Sequence, residues 1–139
     1  MKVWRFGEPG SSPKVYIQAS MHADELPASL AATKLLPKLT AADEANRITG
    51  EIILVPVANP IGLNNVSLRN HNGRHHLPTG ENYNRGFHDV SDEVLKAIDG
   101  KMANGPQADT SLVKAEVARA LATATPSNEA QALRLELMR

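Results

Sequence analysis

The chain has 139 residues, 42% of them hydrophobic, which is enough for one domain with a buried core and too few for two ordinary domains. Fifteen basic residues balance fifteen acidic ones, so no net charge attracts the protein to nucleic acid or to an anionic membrane. The sequence has no cysteine, which excludes disulfides and thiolate metal sites, and no apolar run approaches the ~20 residues of a membrane span. We therefore expect a cytoplasmic protein without a signal peptide.

The first part of the sequence predicts two strands, a helix and a third strand. Residues 2–6 predict a short strand, and residues 14–19 alternate apolar and polar side chains with the period of a strand. Residues 25–38 predict a helix capped by Asp24. Its expected apolar face consists of five leucines: Leu26, Leu30, Leu35, Leu36 and Leu39. Residues 52–57 form a continuous apolar run, typical of a buried strand, so we expect a right-handed βαβ unit.

Residues 58–90 show neither helical nor strand periodicity. A structureless loop of this length in a compact domain is usually functional. It contains four of the five histidines, which are His71, His75, His76 and His88. We therefore expect the segment to form an irregular wall of an active site.

Residues 91–139 predict three helices. Ser91 is the expected N-cap of the first, with Val90 and Leu95 as a hydrophobic staple. The face of this helix should consist of Leu95, Ile98 and Met102, ending at Gly105-Pro106. The second helix is expected over residues 109–122, with Val113, Val117 and Leu121 in register, and the third follows Thr125. Since no strand follows to support these helices, we expect the chain to be the amino-terminal part of a larger protein.

A histidine and a glutamate three residues apart form the first candidate site. His22 is predicted at the carboxyl end of a strand and Glu25 at a helix N-terminus, so both face the crevice where open α/β sheets bind ligands. A catalytic zinc takes three protein ligands of this kind plus water, and the helix dipole favours an ionised carboxylate. The pattern alone also fits a structural histidine.

Two arginines mark a second candidate region. Arg85 can bind a carboxylate through its two-pronged guanidinium, with the Asn84 amide contacting a neighbouring oxygen. The alternative is a polar loop whose asparagines satisfy local turns. Arg74 is a candidate to polarise a substrate carbonyl, or else a solvated loop cation.

Three motifs together resemble one protein family. Residues 19–27, Ala-Ser-Met-His-Ala-Asp-Glu-Leu-Pro, resemble the G-x-H-G-x-E metal motif of the succinylglutamate desuccinylase/aspartoacylase family of zinc carboxypeptidase-like hydrolases. Residues 59–62 resemble its Asn-Pro turn, and residues 82–87 are similar to its D-L-N-R-x-F segment. The resemblance implies a three-layer α/β/α fold with a mostly parallel sheet, of the phosphorylase/hydrolase-like type. Residues 1–139 would then be the amino-terminal portion of a single catalytic domain.

The resemblance also implies roles for five residues. His22 and Glu25 would be ligands of a Zn²⁺ cofactor, Arg74 would polarise the scissile carbonyl, and Asn84 and Arg85 would bind the substrate's carboxylate. The implied reaction is hydrolysis of an amide bond next to a free carboxylate, as in an N-acyl amino acid deacylase or a carboxypeptidase-like enzyme. The substrate would be a small molecule or a peptide, and neither nucleic acid nor membrane is expected as a partner.

The sequence also departs from the family pattern. The family's third zinc ligand, a histidine on a later strand, and its catalytic glutamate have no counterpart here, and we consider the loop histidines poor replacements. Asn82 stands where the family has aspartate, and Ala23 where it has glycine. We therefore expect a zinc-dependent amidohydrolase from the complete protein and little or no activity from these 139 residues alone. The alternatives are a non-catalytic fragment or carboxylate- or metal-binding module, or a site completed by the carboxyl-terminal half or by another chain.

Overall fold

A three-stranded mixed sheet organises residues 1–84. Its strands are β1 (Trp4–Gly7), β2 (Lys14–Gln18) and β3 (Glu51–Val55), in the order β1-β3-β2. β3 pairs antiparallel with β1 and parallel with β2. Its central place explains the apolar run that predicted it, and it ends before Pro56, which has no N–H to donate to a ladder. The predicted strand therefore ends two residues earlier than expected.

The structure is a computed structural model that describes residues 1–99, 101 and 110–139. The chain divides into two units, Met1–Asn84 and Arg85–Arg139. The first unit mixes strands and helices, whereas the described part of the second is helical. The protein is thus a mixed α/β protein with small sheets. Among the described residues, no helix combines the length and apolar character that crossing a lipid bilayer requires.

Helix α1 (Leu26–Glu44) connects β2 to β3 and is longer than predicted. Pro27 lies in its first turn, where a missing N–H costs nothing, and the helix continues past Pro37. The prediction that Asp24 caps α1 is wrong, because the N-cap is Glu25 and no side chain caps the helix.

The core of the first unit lies between α1 and the sheet. Its buried residues are Phe6, Ala19, Ala32 and Leu54. Partly buried side chains pack against them: Trp4, Ile17, Leu35, Leu36, Leu39, Ile48 and Ile52. Leu26 and Leu30 lie outside this core, 54% and 59% exposed. The predicted leucine face is therefore wrong for the first turns of α1, and right for the later ones.

Residues 58–90 are more regular than predicted. Helix α2 (Pro60–Leu63) is followed by a hairpin of β4 (Val66–Ser67) and β5 (Asn70–His71). The two residues between these strands, Leu68 and Arg69, have φ values of 49° and 65°, which a two-residue hairpin with right-handed twist requires. Neither residue type is a usual signal for such a turn, so the sequence pattern did not predict it.

The second unit contains α3 (Ser91–Ile98), α4 (Thr110–Thr123) and α5 (Glu129–Met138). Its core consists of Val94, Ile98 and Ala120, with Val90, Leu112, Val113 and Val117 packed against them. The predicted register of α4 is therefore confirmed. The third predicted helix begins later than expected, because Asn128 caps α5 by accepting a hydrogen bond from the Gln131 N–H.

The start of α3 corrects two predictions. Ser91 is the first helical residue rather than the N-cap, and its N–H donates to Asp89 Oδ1 at 2.9 Å. Leu95 is 61% exposed, so it neither forms a staple nor lines the packing face, and Val94 is buried in its place. The predicted positions Met102, Gly105, Pro106 and Asp109 lie outside the described residues.

Candidate functional site

The turn after β2 brings the side chains of His22 and Glu25 together. The Glu25 N–H donates to the His22 carbonyl at 3.1 Å, closing a turn that places positions three apart on one side. His22 Nδ1 lies 3.2 Å from Glu25 Oε1. The His22 side chain is 8% exposed, whereas that of Glu25 is 56% exposed. The pair therefore has a buried imidazole and a solvent-facing carboxylate.

Arg74 joins this pair from the loop after β5. Its Nη1 lies 2.9 Å from His22 Nδ1, its Nη2 donates to Glu25 Oε1, and its Nε lies 3.8 Å from Asp24 Oδ2. A guanidinium only donates, so His22 Nδ1 is the acceptor and the ring hydrogen resides on Nε2. That nitrogen donates to Asn82 Oδ1 at 2.8 Å. The hydrogen bonds of the His22 ring with Arg74 and with Asn82 are thus consistent with one tautomer, in which Nδ1 does not donate to Glu25.

Asn82 orients the His22 ring. Its Oδ1 also accepts a hydrogen bond from the Asn84 N–H at 2.9 Å, so the amide is held from two sides. Partners of this kind fix the orientation and tautomer of a metal-binding histidine. Sequence reasoning treated Asn82 only as a departure from the family motif. The signal that it belongs to the site was its position, where the family has aspartate.

A buried asparagine connects the segments that carry these side chains. Asn59 is fully buried, and its Nδ2 donates to the Met21 carbonyl at 3.0 Å and to the Gly73 carbonyl at 3.4 Å. Its Oδ1 accepts from the Gly62 N–H at 2.7 Å. One side chain therefore ties the turn before His22, helix α2 and the residue before Arg74.

Two glycines allow this close packing. A Cβ on Gly73 would lie 2.6 Å from the Asp24 nitrogen, and a Cβ on Gly62 would lie 2.6 Å from the Gly73 carbonyl oxygen. Real side chains do not tolerate such distances to backbone atoms. Gly73 thus permits the backbone approach that brings Arg74 to His22, and the Ala23 N–H donates to the Gly73 carbonyl at 3.1 Å.

Residues 74–83 form a hairpin-like loop that places Asn82 near Arg74. The Tyr83 N–H donates to the Arg74 carbonyl at 3.1 Å, and the His76 N–H to the Glu81 carbonyl at 2.8 Å. The rings of buried His76 and Tyr83 meet edge to face, with centroids 6.1 Å apart. His76 therefore has a structural place inside the loop.

At the site, the described residues supply two side chains of the types that bind metal ions, His22 and Glu25. Across residues 1–99, 101 and 110–139, no three His, Cys, Asp or Glu side chains form a group able to hold a metal ion. In a tetrahedral zinc site two ligand atoms lie about 3.3 Å apart, given bond lengths of about 2.0–2.2 Å. The 3.2 Å between His22 Nδ1 and Glu25 Oε1 fits this requirement. The donor pair therefore fits part of a zinc site.

The two predicted carboxylate-binding residues fall on either side of the boundary between the units. Asn84 ends the first unit and is bound through its N–H to Asn82, which lies beside His22. Arg85 begins the second unit and is exposed. The structure thus brings together His22, Glu25 and Arg74, with Asn84 connected to them through Asn82.

A model of the succinylglutamate desuccinylase/aspartoacylase catalytic domain matches residues 11–132. The chain belongs to the succinylglutamate desuccinylase/aspartoacylase family. The match spans the turn of His22, the Asn59 segment and the loop of Arg74, so the motif resemblance and the domain match agree.

Solved structures extend the comparison. A protein from Shewanella amazonensis SB2B, assigned to the succinylglutamate desuccinylase/aspartoacylase family, is 31% identical, with a TM-score of 0.65 over 98% of this chain. A protein from Shewanella frigidimarina NCIMB 400, assigned as a succinylglutamate desuccinylase/aspartoacylase, is 26% identical, with a TM-score of 0.68 over 97% of this chain. The chain spans 38% and 37% of the lengths of these two proteins. Comparison with the curated proteins found no match.

Proposed function

We propose that the protein carrying this chain is a zinc-dependent hydrolase of an amide bond next to a free carboxylate. The observation that carries the proposal is the convergence of His22 Nδ1, Glu25 Oε1 and the Arg74 guanidinium on one point. His22 and Glu25 would hold the metal ion, and membership of the desuccinylase/aspartoacylase family supports amide hydrolysis as the reaction. N-acyl amino acids and peptides with a free carboxyl terminus are the proposed substrates.

Each side chain of the site would have a separate task. When bound, zinc supplies Lewis acidity and lowers the pKa of a water molecule. Asn82 holds the His22 ring so that Nδ1 points toward Glu25. Arg74 would donate to the scissile carbonyl oxygen, where negative charge develops during hydrolysis.

Asn84 and Arg85 would bind the substrate's carboxylate. A guanidinium binds a carboxylate through two parallel hydrogen bonds, which fixes orientation as well as position. The Asn84 backbone N–H donates to Asn82 Oδ1, the same atom that accepts from His22 Nε2. Asn84 is therefore held in place by the residue that orients His22. The selectivity for a free carboxylate should therefore depend on these two residues.

We further propose that residues 1–139 are part of one catalytic domain with a three-layer α/β/α fold and a mostly parallel sheet, acting in the cytoplasm. The parallel pairing of β2 with β3 supports this arrangement, as does the similarity to the two Shewanella structures. Residues 58–90 would form the wall of the active site, since they carry Arg74, Asn82 and Asn84.

The experiment that tests this function combines metal binding with turnover. Zinc binding is measured by calorimetry on the chain, and turnover on the natural protein in which the chain occurs. The substrates are N-acyl amino acids and short peptides, each paired with an analogue whose carboxylate is a primary amide. We expect turnover to stop with a chelator and to return with zinc. His22→Ala should reduce it by at least about a hundredfold, since one ligand is lost.

His75→Ala is the matched control, because it removes an exposed histidine that lies outside the His22 turn, in the loop of residues 74–83. We expect it to keep both zinc binding and turnover. Full activity of His22→Ala, or activity that a chelator leaves unchanged, would contradict the proposal. Zinc or carboxylate binding without turnover of any substrate would instead identify a binding module.

A further inference from the structure

We infer that Arg74 and a divalent metal ion compete for the same two atoms, His22 Nδ1 and Glu25 Oε1. The inference rests on the proposed function, in which these atoms are metal ligands. It adds a second position for Arg74, in which the guanidinium itself lies at the metal position. Metal binding would then displace Arg74 and so bring it into the position where it meets the substrate.

The competition follows from the lone pairs of the imidazole. His22 Nδ1 accepts a hydrogen bond from Arg74 Nη1 at 2.9 Å, and an imidazole nitrogen has only one lone pair in the ring plane. The same lone pair is the one that would bind a metal ion. Glu25 Oε1 accepts from Arg74 Nη2 in the same arrangement. The two cations therefore cannot use His22 Nδ1 at the same time.

The backbone of Arg74 is anchored, whereas its side chain is partly exposed. The Arg74 carbonyl accepts a hydrogen bond from the Tyr83 N–H at 3.1 Å. The preceding Gly73 carbonyl accepts from the Ala23 N–H at 3.1 Å and from Asn59 Nδ2 at 3.4 Å. The Arg74 side chain is 40% exposed. Displacement therefore requires only side-chain rotations into solvent, and the loop stays in place.

Asp24 is placed to receive the displaced guanidinium. Its Oδ2 already lies 3.8 Å from Arg74 Nε. Its Oδ1 is buried and has no hydrogen-bond partner among the described residues, which is an unfavourable state for a carboxylate oxygen. Because the contact between Arg74 and Asp24 involves neither His22 nor Glu25, metal binding would leave it intact. The guanidinium would thus remain beside the site after leaving His22.

Zinc calorimetry on the full chain at fixed pH tests the competition. Arg74→Gln removes the competing cation, so we expect its zinc affinity to exceed that of the wild type by at least about fivefold, the lower end of typical coupling between sites. Arg69→Gln is the matched control, because it removes an exposed arginine from the preceding turn between β4 and β5, and its affinity should equal that of the wild type. Circular dichroism confirms that each variant is folded.

Arg74→Lys separates occupancy of the metal position from overall charge. Lysine keeps the charge but lacks the fork that contacts both atoms, so we expect an affinity between those of the wild type and Arg74→Gln. Wild-type affinity in Arg74→Lys, together with tighter binding in Arg74→Gln, would mean that charge alone acts and would overturn the inference.

The remaining outcomes distinguish this inference from the proposed function. If the wild type binds zinc and Arg74→Gln binds it equally or more weakly, the competition is overturned while the zinc site stands. If neither protein binds zinc, the competition is overturned, and turnover by the natural protein then decides the proposed function. Binding by Arg74→Gln alone would support the competition in its strongest form.

Discussion

Ser20 adopts a backbone conformation that normally favours glycine. Its φ is 58°, and a residue with a side chain pays about 1–2 kcal/mol for this left-handed region. It is buried, and its hydroxyl forms a hydrogen bond with the Ser29 hydroxyl of α1. In the G-x-H-G-x-E motif it occupies the first glycine position. The turn that presents His22 is therefore strained, and the hydroxyl contact with α1 offsets part of the strain.

The strain predicts an unusual order of stability for two substitutions. Both Ser20→Gly and Ser20→Ala lose the hydroxyl, but only glycine relieves the strain, so the glycine variant should be more stable by about 1 kcal/mol. Urea unfolding of the two variants measures the difference. The matched pair is Ser29→Gly and Ser29→Ala, in which alanine should be the more stable by about 1 kcal/mol, because Ser29 lies within a helix. An alanine variant at position 20 as stable as the glycine variant would contradict the strain.

The site residues differ in how far the sequence predicted them. His22, Glu25 and Arg74 carry chemistry at recognisable motif positions, and the structure brings the three together. Asn59 and Asn82 act through hydrogen bonds to distant segments, 38 and 60 residues away. Such partners depend on how the chain folds back on itself, and a single sequence carries no periodicity that reports them.

The sheet has an ionic group at the amino end of β3. The Glu51 carboxylate is buried and contacts Lys14 Nζ of β2 and Arg5 Nη1 of β1, each at 2.7 Å. Hydrogen bonds from Lys14, then from the Gly10 N–H and from Arg5, lower the pKa of Glu51 from 4.5 to about 2. One carboxylate therefore links all three strands at one end of the sheet, and His22 follows β2 at the other end.

This carboxylate predicts how stability depends on pH. Since its pKa is lower in the folded state, its contribution is complete above about pH 4.5 and is lost as the pH falls toward 2. Urea unfolding of the wild type between pH 7 and pH 2 should show this loss. Glu51→Gln should be less stable at pH 7 and should lose less stability on acidification.

Glu44→Gln is the control, because it removes an exposed carboxylate at the end of α1. Its pH dependence should follow that of the wild type. If Glu51→Gln matches the wild type at every pH, the ionic group does not stabilise the sheet.

Helices and strands were predicted well where packing follows local periodicity. Helix α4 shows it, because Val113 and Val117 recur with the period that its packing requires. β3 was predicted from its continuous apolar run, and β2 from an alternation that its burial does not follow, since Val15 is 43% exposed. The failures at Leu26, Leu30 and Leu95 have one cause. Each leucine continues a helical period, but exposure depends on which neighbouring segment covers that face, and periodicity does not report the neighbour. The hairpin of β4 and β5 was missed because it consists of only four paired residues.

The family of the chain was predicted through its motifs rather than through its composition, and of the predicted fold the mixture of α and β elements is shown. Neutral charge and average hydrophobicity fit many soluble domains, whereas three motifs in order identified the family that the domain match then showed. The sheet of the described residues is mixed, with one antiparallel and one parallel ladder. The sequence did not predict whether β1 pairs parallel or antiparallel with β3, since a short strand can pair in either direction.

Asn59 holds both ends of the segment between Gly62 and Gly73 through hydrogen bonds. The position of Arg74 at the site should therefore not depend on how many residues this segment contains. We expect a four-residue Gly-Ser insertion after Leu68, which is 94% exposed, to lower the free energy of unfolding by about 1 kcal/mol, since the two-residue turn grows to six residues and loop closure costs about 0.6 kcal/mol per doubling of length. The same insertion between Gly73 and Arg74 should be far more damaging. Equal losses in urea unfolding would contradict this difference. The geometry of the site therefore does not depend on the number of residues between these two glycines, because Asn59 holds both ends of the segment.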